Sequence, residues 1–163
     1  MNLCPELRRF QAEHARWVVE LAERGPEAEA GDAAHLLALW EDEILPHCRR
    51  VEDVLLPELA RRIPEADAVI VFTLGDHVVL RGLVRELRGA AEPERREVAA
   101  RLGKKLAEHV AFEERTLFPA VQEALGCDRL AALGSELTMR EQHRPADKPP
   151  TTHEASRKKG KKP

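Results

Sequence analysis

Apolar residues recur at three- and four-residue spacing in four long stretches of the chain, and this pattern predicts four long helices. The stretches cover about residues 5–24, 32–63, 65–87 and 93–126. A short further helix is predicted from Cys127 to Leu137. Long helices joined by short loops predict an all-α fold, an up-down four-helix bundle.

Glycine, proline and capping residues mark the ends of these helices. Pro5 lies in the first predicted turn, and Gly25-Pro26 ends the first helix. Asp32 is the predicted N-cap of the second helix. Pro46 and Pro57 fall inside the second helix, and each is expected to kink it because proline lacks the backbone N–H.

The 163 residues are enough for one domain with a substantial core, and a composition rich in Ala, Leu, Glu and Arg favours helix. Residues 1–139 are assigned to the bundle. Residues 140–163 hold 8 Lys/Arg and 3 Asp/Glu, a formal charge of +5. Because the whole chain carries −3, the formal charge of residues 1–139 is −8. This last segment lacks periodicity and is rich in Pro and Lys, so it is predicted to be a disordered basic tail.

The three cysteines, Cys4, Cys48 and Cys127, contain no CxxC pair. Their spacing predicts neither a disulfide framework nor a thiolate zinc site, which suits a reducing compartment. The sequence has no apolar signal segment and no apolar run near ~20 residues, so no membrane contact is predicted. A cytoplasmic location is the resulting expectation.

His109 and Glu113 stand four residues apart in the fourth predicted helix, on the face that carries Leu106 and Leu117. A buried carboxylate needs a partner, since burying an unpaired charge costs several kcal/mol. A metal ion is one such partner, because His with carboxylate is a usual ligand set for iron, zinc or manganese. For this stretch alone, a buried His–Glu hydrogen bond, or a helix turned so that Glu113 is exposed to solvent, is the preferred explanation.

An internal repeat extends the pattern to four histidines. His47 is followed after ten residues by Pro57, as His109 is by Pro119, an offset of 62. Glu13-His14 is matched by Asp76-His77 at an offset of 63. The chain is thus two similar helical hairpins, each with one His on each helix. In a bundle, these four His fall at one level of the core and predict a metal site.

This arrangement resembles the hemerythrin-like (HHE cation-binding) family over about residues 5–137. The residues that carry the resemblance are His14, His47, His77, the pair His109 and Glu113, and the endings Leu55-Leu56-Pro57 and Leu117-Phe118-Pro119. The resemblance implies a non-haem di-iron site held by histidines and two bridging carboxylates, one on the second and one on the fourth helix. Members of the family bind oxygen, respond to oxygen or nitric oxide, or handle iron.

The sequence departs from the family pattern at the second carboxylate. Val51 stands where the helix-two Glu is expected, so Glu52, or Glu43 one turn earlier, was considered as its replacement. The oxygen carriers of the family use a further His at the position of Thr73, so reversible oxygen transport is not expected. The predicted ligands are His14, His47, His77, His109, Glu113 and Glu52, with two iron ions; one iron, zinc or manganese are the alternatives.

The functional expectation is a metal-binding protein that binds or senses oxygen or nitric oxide, or handles iron, and is a binding or sensing protein rather than an enzyme. An iron-dependent oxidoreductase acting on oxygen or peroxide is one alternative. A metal-free interaction bundle, whose basic tail contacts nucleic acid or an acidic protein, is another. The sequence does not determine the oligomeric state.

Overall fold

The computed structural model describes residues 2–24, 30–63 and 67–142, and this part of the chain is helical without strands. The first long helix is α1 (Pro5–Arg24), and the third is α5 (Asp67–Gly89). The second is built from α2 (Ala30–Leu39), α3 (Leu45–Arg50) and α4 (Leu56–Arg62). The fourth is built from α6 (Glu94–Phe112) and the start of α7 (Phe118–Gln142). The predicted all-α bundle is confirmed.

The helices pack as two hairpins around a shared core. Helix α1 contacts α6 and α7, α2 contacts α5 and α6, and α4 contacts α5 and α7. Every long helix of one hairpin therefore touches the other hairpin, as a four-helix bundle requires. None of the described helices combines the length and the apolar character that a bilayer crossing requires.

Three short π-helical turns interrupt the second and fourth long helices. They are π1 (Trp40–Ile44), π2 (Val51–Leu55) and π3 (Glu113–Leu117). Each is followed directly by an apolar residue and then by proline. The N–H of that apolar residue donates to the carbonyl five residues earlier. A proline ring clashes with the carbonyl four residues before it and offers no N–H, so the wider turn accommodates it. The irregularity predicted at Pro46 and Pro57 takes this form.

Two predicted helix limits are corrected. Helix α2 begins at Ala30, so Asp32 lies within the helix rather than at its N-cap. At the other end, α7 reaches Gln142 and so extends into the segment predicted as tail. The predicted break after the fourth helix is present at Gly126, whose φ of 67° is a left-handed conformation that favours glycine. The rest of the predicted tail, residues 143–163, lies outside the described residues.

Cys4 and Cys127 form a disulfide, with their Cα atoms 5.4 Å apart. The expectation that the cysteines form no disulfide framework was therefore wrong for this pair. The two partners are 123 residues apart, and sequence spacing alone cannot reveal such a connectivity. The bond ties the residue before α1 to the segment of α7 that follows Gly126, while Cys48 stays a free, buried thiol.

Candidate metal centre

Five charged or polar side chains meet in the middle of the bundle, and each is fully buried. They are His14 on α1, His47 on α3, His77 on α5, His109 on α6 and Glu113 at the start of π3. Each long helix thus contributes one histidine, as the repeat predicted. The structure brings together five of the six predicted ligands.

This polar layer separates two apolar clusters along the bundle. Phe10 belongs to one cluster and Trp17 to the other, and His14 lies between them on α1. In the same way, Leu106 and Leu117 belong to different clusters on either side of His109 and Glu113. Apolar packing above and below keeps bulk water from the layer, so its polar atoms must be satisfied by one another or by a bound ion.

The two oxygens of Glu113 face different pairs of histidines. Glu113 Oε2 lies 3.1 Å from His14 Nε2 and 3.0 Å from His47 Nε2. Glu113 Oε1 lies 3.8 Å from His77 Nε2 and 3.5 Å from His109 Nε2. The carboxylate therefore stands between two His pairs, one from each hairpin. A carboxylate shared in this way by two pairs of imidazole donors has the arrangement expected of a bridging ligand.

The two halves of this layer differ in how their atoms are satisfied. In the first half, His14 Nε2 and His47 Nε2 are 3.3 Å apart and both contact Glu113. In the second half, His77 Nε2, His109 Nε2 and Glu113 Oε1 are buried without a hydrogen-bond partner. Leaving a buried polar atom unpaired costs about 1–3 kcal/mol. Two imidazole nitrogens and a carboxylate oxygen converging unpaired fit a metal ion, whose bonds would satisfy all three.

Each histidine turns its other nitrogen, Nδ1, toward an acidic residue at the edge of the layer. The pairs are His14 with Glu114 at 3.1 Å, His47 with Glu13 at 2.9 Å, His77 with Glu52 at 2.7 Å, and His109 with Asp76 at 3.7 Å. The first three pairs are within hydrogen-bond distance, whereas His109 Nδ1 has no hydrogen-bond partner. A carboxylate hydrogen-bonded at Nδ1 favours the proton there and leaves Nε2 free to bind a metal. Glu13 and Asp76, which precede His14 and His77 in the sequence, each face the second histidine of their own hairpin.

The structure places Glu52 on the outer side of His77, where it also accepts a hydrogen bond from Arg81 at 2.9 Å. In the repeat, Glu52 corresponds to Glu114, and both occupy equivalent places at Nδ1 of the histidine from the other hairpin. Val51 corresponds to Glu113 but is packed in an apolar cluster. The position of Glu52 could thus have been found by aligning Val51-Glu52 with Glu113-Glu114. That Glu52 is a metal ligand stays a prediction, and its place at His77 Nδ1 does not favour it.

Opposing effects set the charges in the layer. Burial alone would raise the pKa of Glu113, but the surrounding histidines hold it well below its ordinary value. Burial would lower the pKa of His77, yet its neighbours Cys48, Glu113 and Glu52 raise it to about 11. For His109 the effect of burial dominates and lowers the pKa to about 4. A cation held in the layer would therefore face an ionised Glu113 and would compete with protons for the imidazole nitrogens.

Three other residues clarify the limits of the site. Glu43, the alternative helix-two carboxylate, instead accepts hydrogen bonds from Arg16 at 2.8 Å and Trp17 at 3.1 Å. Thr73 is buried and donates its hydroxyl hydrogen bond to the backbone of its own helix. Cys48 is buried and lies with His77 and His109.

The fold and the layer together define a class: four-helix bundles that hold a cation between buried histidines and a carboxylate. The particular family follows from comparison with known families. The chain belongs to the hemerythrin HHE cation-binding domain family, whose model matches residues 6–121. No curated protein and no solved structure matches the chain. The resemblance stated from the sequence is therefore confirmed, and the buried His and Glu cluster could bind a metal.

Proposed function

We propose that the protein binds two non-haem iron ions that share Glu113, and that it acts in binding or sensing oxygen or nitric oxide or in iron handling. The observation that carries the proposal is the position of Glu113, with one oxygen toward His14 and His47 and the other toward His77 and His109. Imidazole and carboxylate donors suit iron as well as zinc and manganese. Membership of the cation-binding family favours iron among these.

The chain supplies few donors to each ion, and this supports a binding role. Two imidazole nitrogens and one oxygen of Glu113 face each half of the layer. An octahedral iron ion has more coordination positions than these donors fill, and the remaining positions are those at which oxygen or nitric oxide binds.

Burial limits what reaches these positions. The five side chains are fully buried, and apolar clusters cover the layer on both sides. A diatomic molecule is small enough to diffuse through such packing, whereas a larger organic substrate requires a cleft. The enclosed layer therefore supports a diatomic ligand over a bulky substrate.

Iron quantification of the full chain tests the proposal. Protein expressed with supplemented iron is expected to hold two irons per chain, with an optical charge-transfer band typical of oxo-bridged ferric iron, and its spectrum is expected to change when nitric oxide is added to the reduced protein. His109→Ala and Glu113→Ala are expected to lose most of the iron. His35→Ala is the matched control, because His35 is a half-buried histidine that contacts Glu20 rather than the layer.

The outcomes separate the proposal from its alternatives. Two equivalents of zinc or manganese in preference to iron would overturn the choice of metal. One iron per chain would overturn the shared role of Glu113. Metal far below one equivalent, unchanged by the His109→Ala and Glu113→Ala substitutions, would favour a metal-free interaction bundle.

A further inference from the structure

Cys48 is a fully buried thiol that the proposed function has not used. It follows His47 by one residue on α3, so its side chain points about 100° away from that histidine around the helix axis. This direction brings it to the other pair of histidines. The Sγ atom of Cys48 and one nitrogen each of His77 and His109 all lie within 4.8 Å of one another.

Cys48 adjoins the two histidines whose half of the layer holds the unsatisfied atoms. His77 Nε2, His109 Nε2 and Glu113 Oε1 are buried and have no hydrogen-bond partner. All three belong to the half of the layer that the thiol adjoins. Cys48 Sγ thus lies with one nitrogen each of His77 and His109, and Glu113 Oε1 lies 3.8 Å from His77 Nε2 and 3.5 Å from His109 Nε2. Four such donors would suffice for a tetrahedral coordination shell.

The internal repeat has no second thiol. The position that corresponds to Cys48 in the other hairpin is Val110, a buried apolar residue that offers no donor atom. The half formed by His14, His47 and Glu113 therefore has three donor residues within 4.8 Å of one another, and its nitrogens are already in mutual contact. The two halves differ in donor chemistry although their histidines are equivalent.

We propose that Cys48 is a metal ligand, so that one ion is bound by Cys48, His77, His109 and Glu113, and the other by His14, His47 and Glu113. This inference rests on the proposed function and makes its two metal positions unequal. The metal–sulfur bond forms as the thiol loses its proton to solvent, with no change of oxidation state. Thiolate favours softer ions, so the two positions differ in metal preference. Four donors complete the tetrahedral shell of an ion such as zinc, whereas an octahedral iron ion there would keep open positions, though fewer than at the three-donor position.

Cobalt(II) loading of the full chain tests the assignment. The wild type is expected to show a sulfur-to-cobalt charge-transfer band in the near ultraviolet, and zinc-loaded protein a sulfur scatterer at about 2.3 Å by X-ray absorption. Cys48→Ala is expected to lose both signals. It should bind one of two cobalt ions at least tenfold more weakly and the other unchanged.

Two controls isolate Cys48 from the rest of the chain. The double variant Cys4→Ser with Cys127→Ser removes the other cysteines and should keep the band. Val110→Ala makes a similar small truncation in the opposite half and should also keep it. If Cys48→Ala does not fold, Cys48→Val replaces it, because valine is the residue at the equivalent position of the repeat. X-ray absorption of the wild type alone also tests for a sulfur ligand.

The failure of this inference is distinguishable from the failure of the proposed function. Two bound cobalt ions with only nitrogen and oxygen ligands would overturn the role of Cys48 and leave the shared Glu113 site standing. A sulfur signal that persists in Cys48→Ala would also overturn it. Protein that binds no cobalt, zinc or iron would overturn both proposals.

Discussion

Glu52 accepts a hydrogen bond from His77 at 2.7 Å, across the boundary between the two hairpins. Glu114 faces His14 in the same way at 3.1 Å, so each hairpin orients one histidine of the other. Burial tends to raise the pKa of Glu52, but hydrogen bonds from His77 and Arg81 lower it, which keeps its carboxylate ionised at neutral pH. An ionised partner at Nδ1 fixes the imidazole with Nε2 directed into the layer.

Glu52→Gln is therefore expected to weaken metal binding by about 10–100-fold while the metal-free protein still folds. Affinity is measured by competition with a chelator of known strength. Glu86→Gln is the matched control, because Glu86 pairs with Arg101 on the surface, away from the layer. Equal affinity in Glu52→Gln and the control would contradict an orienting role for Glu52.

Val51→Glu is expected to restore the second carboxylate that the repeat lacks. In the metal-free protein, the new buried charge should lower the free energy of unfolding by about 3 kcal/mol or more. Addition of metal should recover much of that loss, because Val51 occupies the place equivalent to Glu113. Chemical denaturation with and without metal measures both quantities.

Val54→Glu is the control for this substitution, since Val54 is buried in the same apolar cluster and the same π turn. Its loss of stability should remain when metal is added. If metal rescued the two variants equally, Val51 would not occupy a position facing the metal.

Removal of metal is expected to lower the melting temperature of the wild type. Binding only to the folded state stabilises it by about 2.7 kcal/mol when the free metal is at 100 times its dissociation constant. Glu113→Ala, which removes the donor shared by both ions, should melt at nearly the same temperature with metal as with chelator. A wild-type protein whose melting temperature is also unaffected by chelator would contradict metal binding in the layer.

Glu58 on α4 links that helix to α7 by accepting hydrogen bonds from Arg129 at 3.1 and 3.0 Å. The contact from Arg129 lowers the pKa of Glu58 below its ordinary value of 4.5. A lowered pKa means that the carboxylate stabilises the fold above about pH 4.5, and that this contribution disappears as pH falls through the folded-state pKa. Glu58→Gln should therefore be less stable than the wild type at pH 7, and the difference should shrink below pH 4.5. A difference that stays constant from pH 7 to pH 3 would contradict the assignment.

The four helices and the five central side chains were predictable because both depend on periodicity. Helical spacing places His109 and Glu113 on one face, and the repeat extends the same argument to His14, His47 and His77. Glu52 was predicted to be a metal ligand because the family pattern expects a second carboxylate. Its alignment with Glu114 instead indicated a carboxylate at Nδ1 of a histidine, where the structure places it. Periodicity gives the face of a helix, but it does not say which side of an imidazole a neighbouring carboxylate will reach.

Other features depend on contacts between distant parts of the chain. The approach of Cys48 to His77 and His109 requires the packing of α3 against the second hairpin, which no local pattern contains. The pairing of Cys4 with Cys127 likewise depends on how α7 turns at Gly126. The π turns were only partly foreseeable: the prolines indicated irregularity, but its form depends on which carbonyl each remaining N–H can reach.

The Cys4–Cys127 bond closes a covalent ring that encloses all five central side chains. A single protease cut in the turn between α5 and α6, at residues 90–93, would separate His77 from His109 in sequence. The ring would still hold the two fragments as one molecule, so all five central side chains would remain tethered to one another. Reduction of the disulfide would then release two fragments, with His14, His47 and His77 on one and His109 and Glu113 on the other.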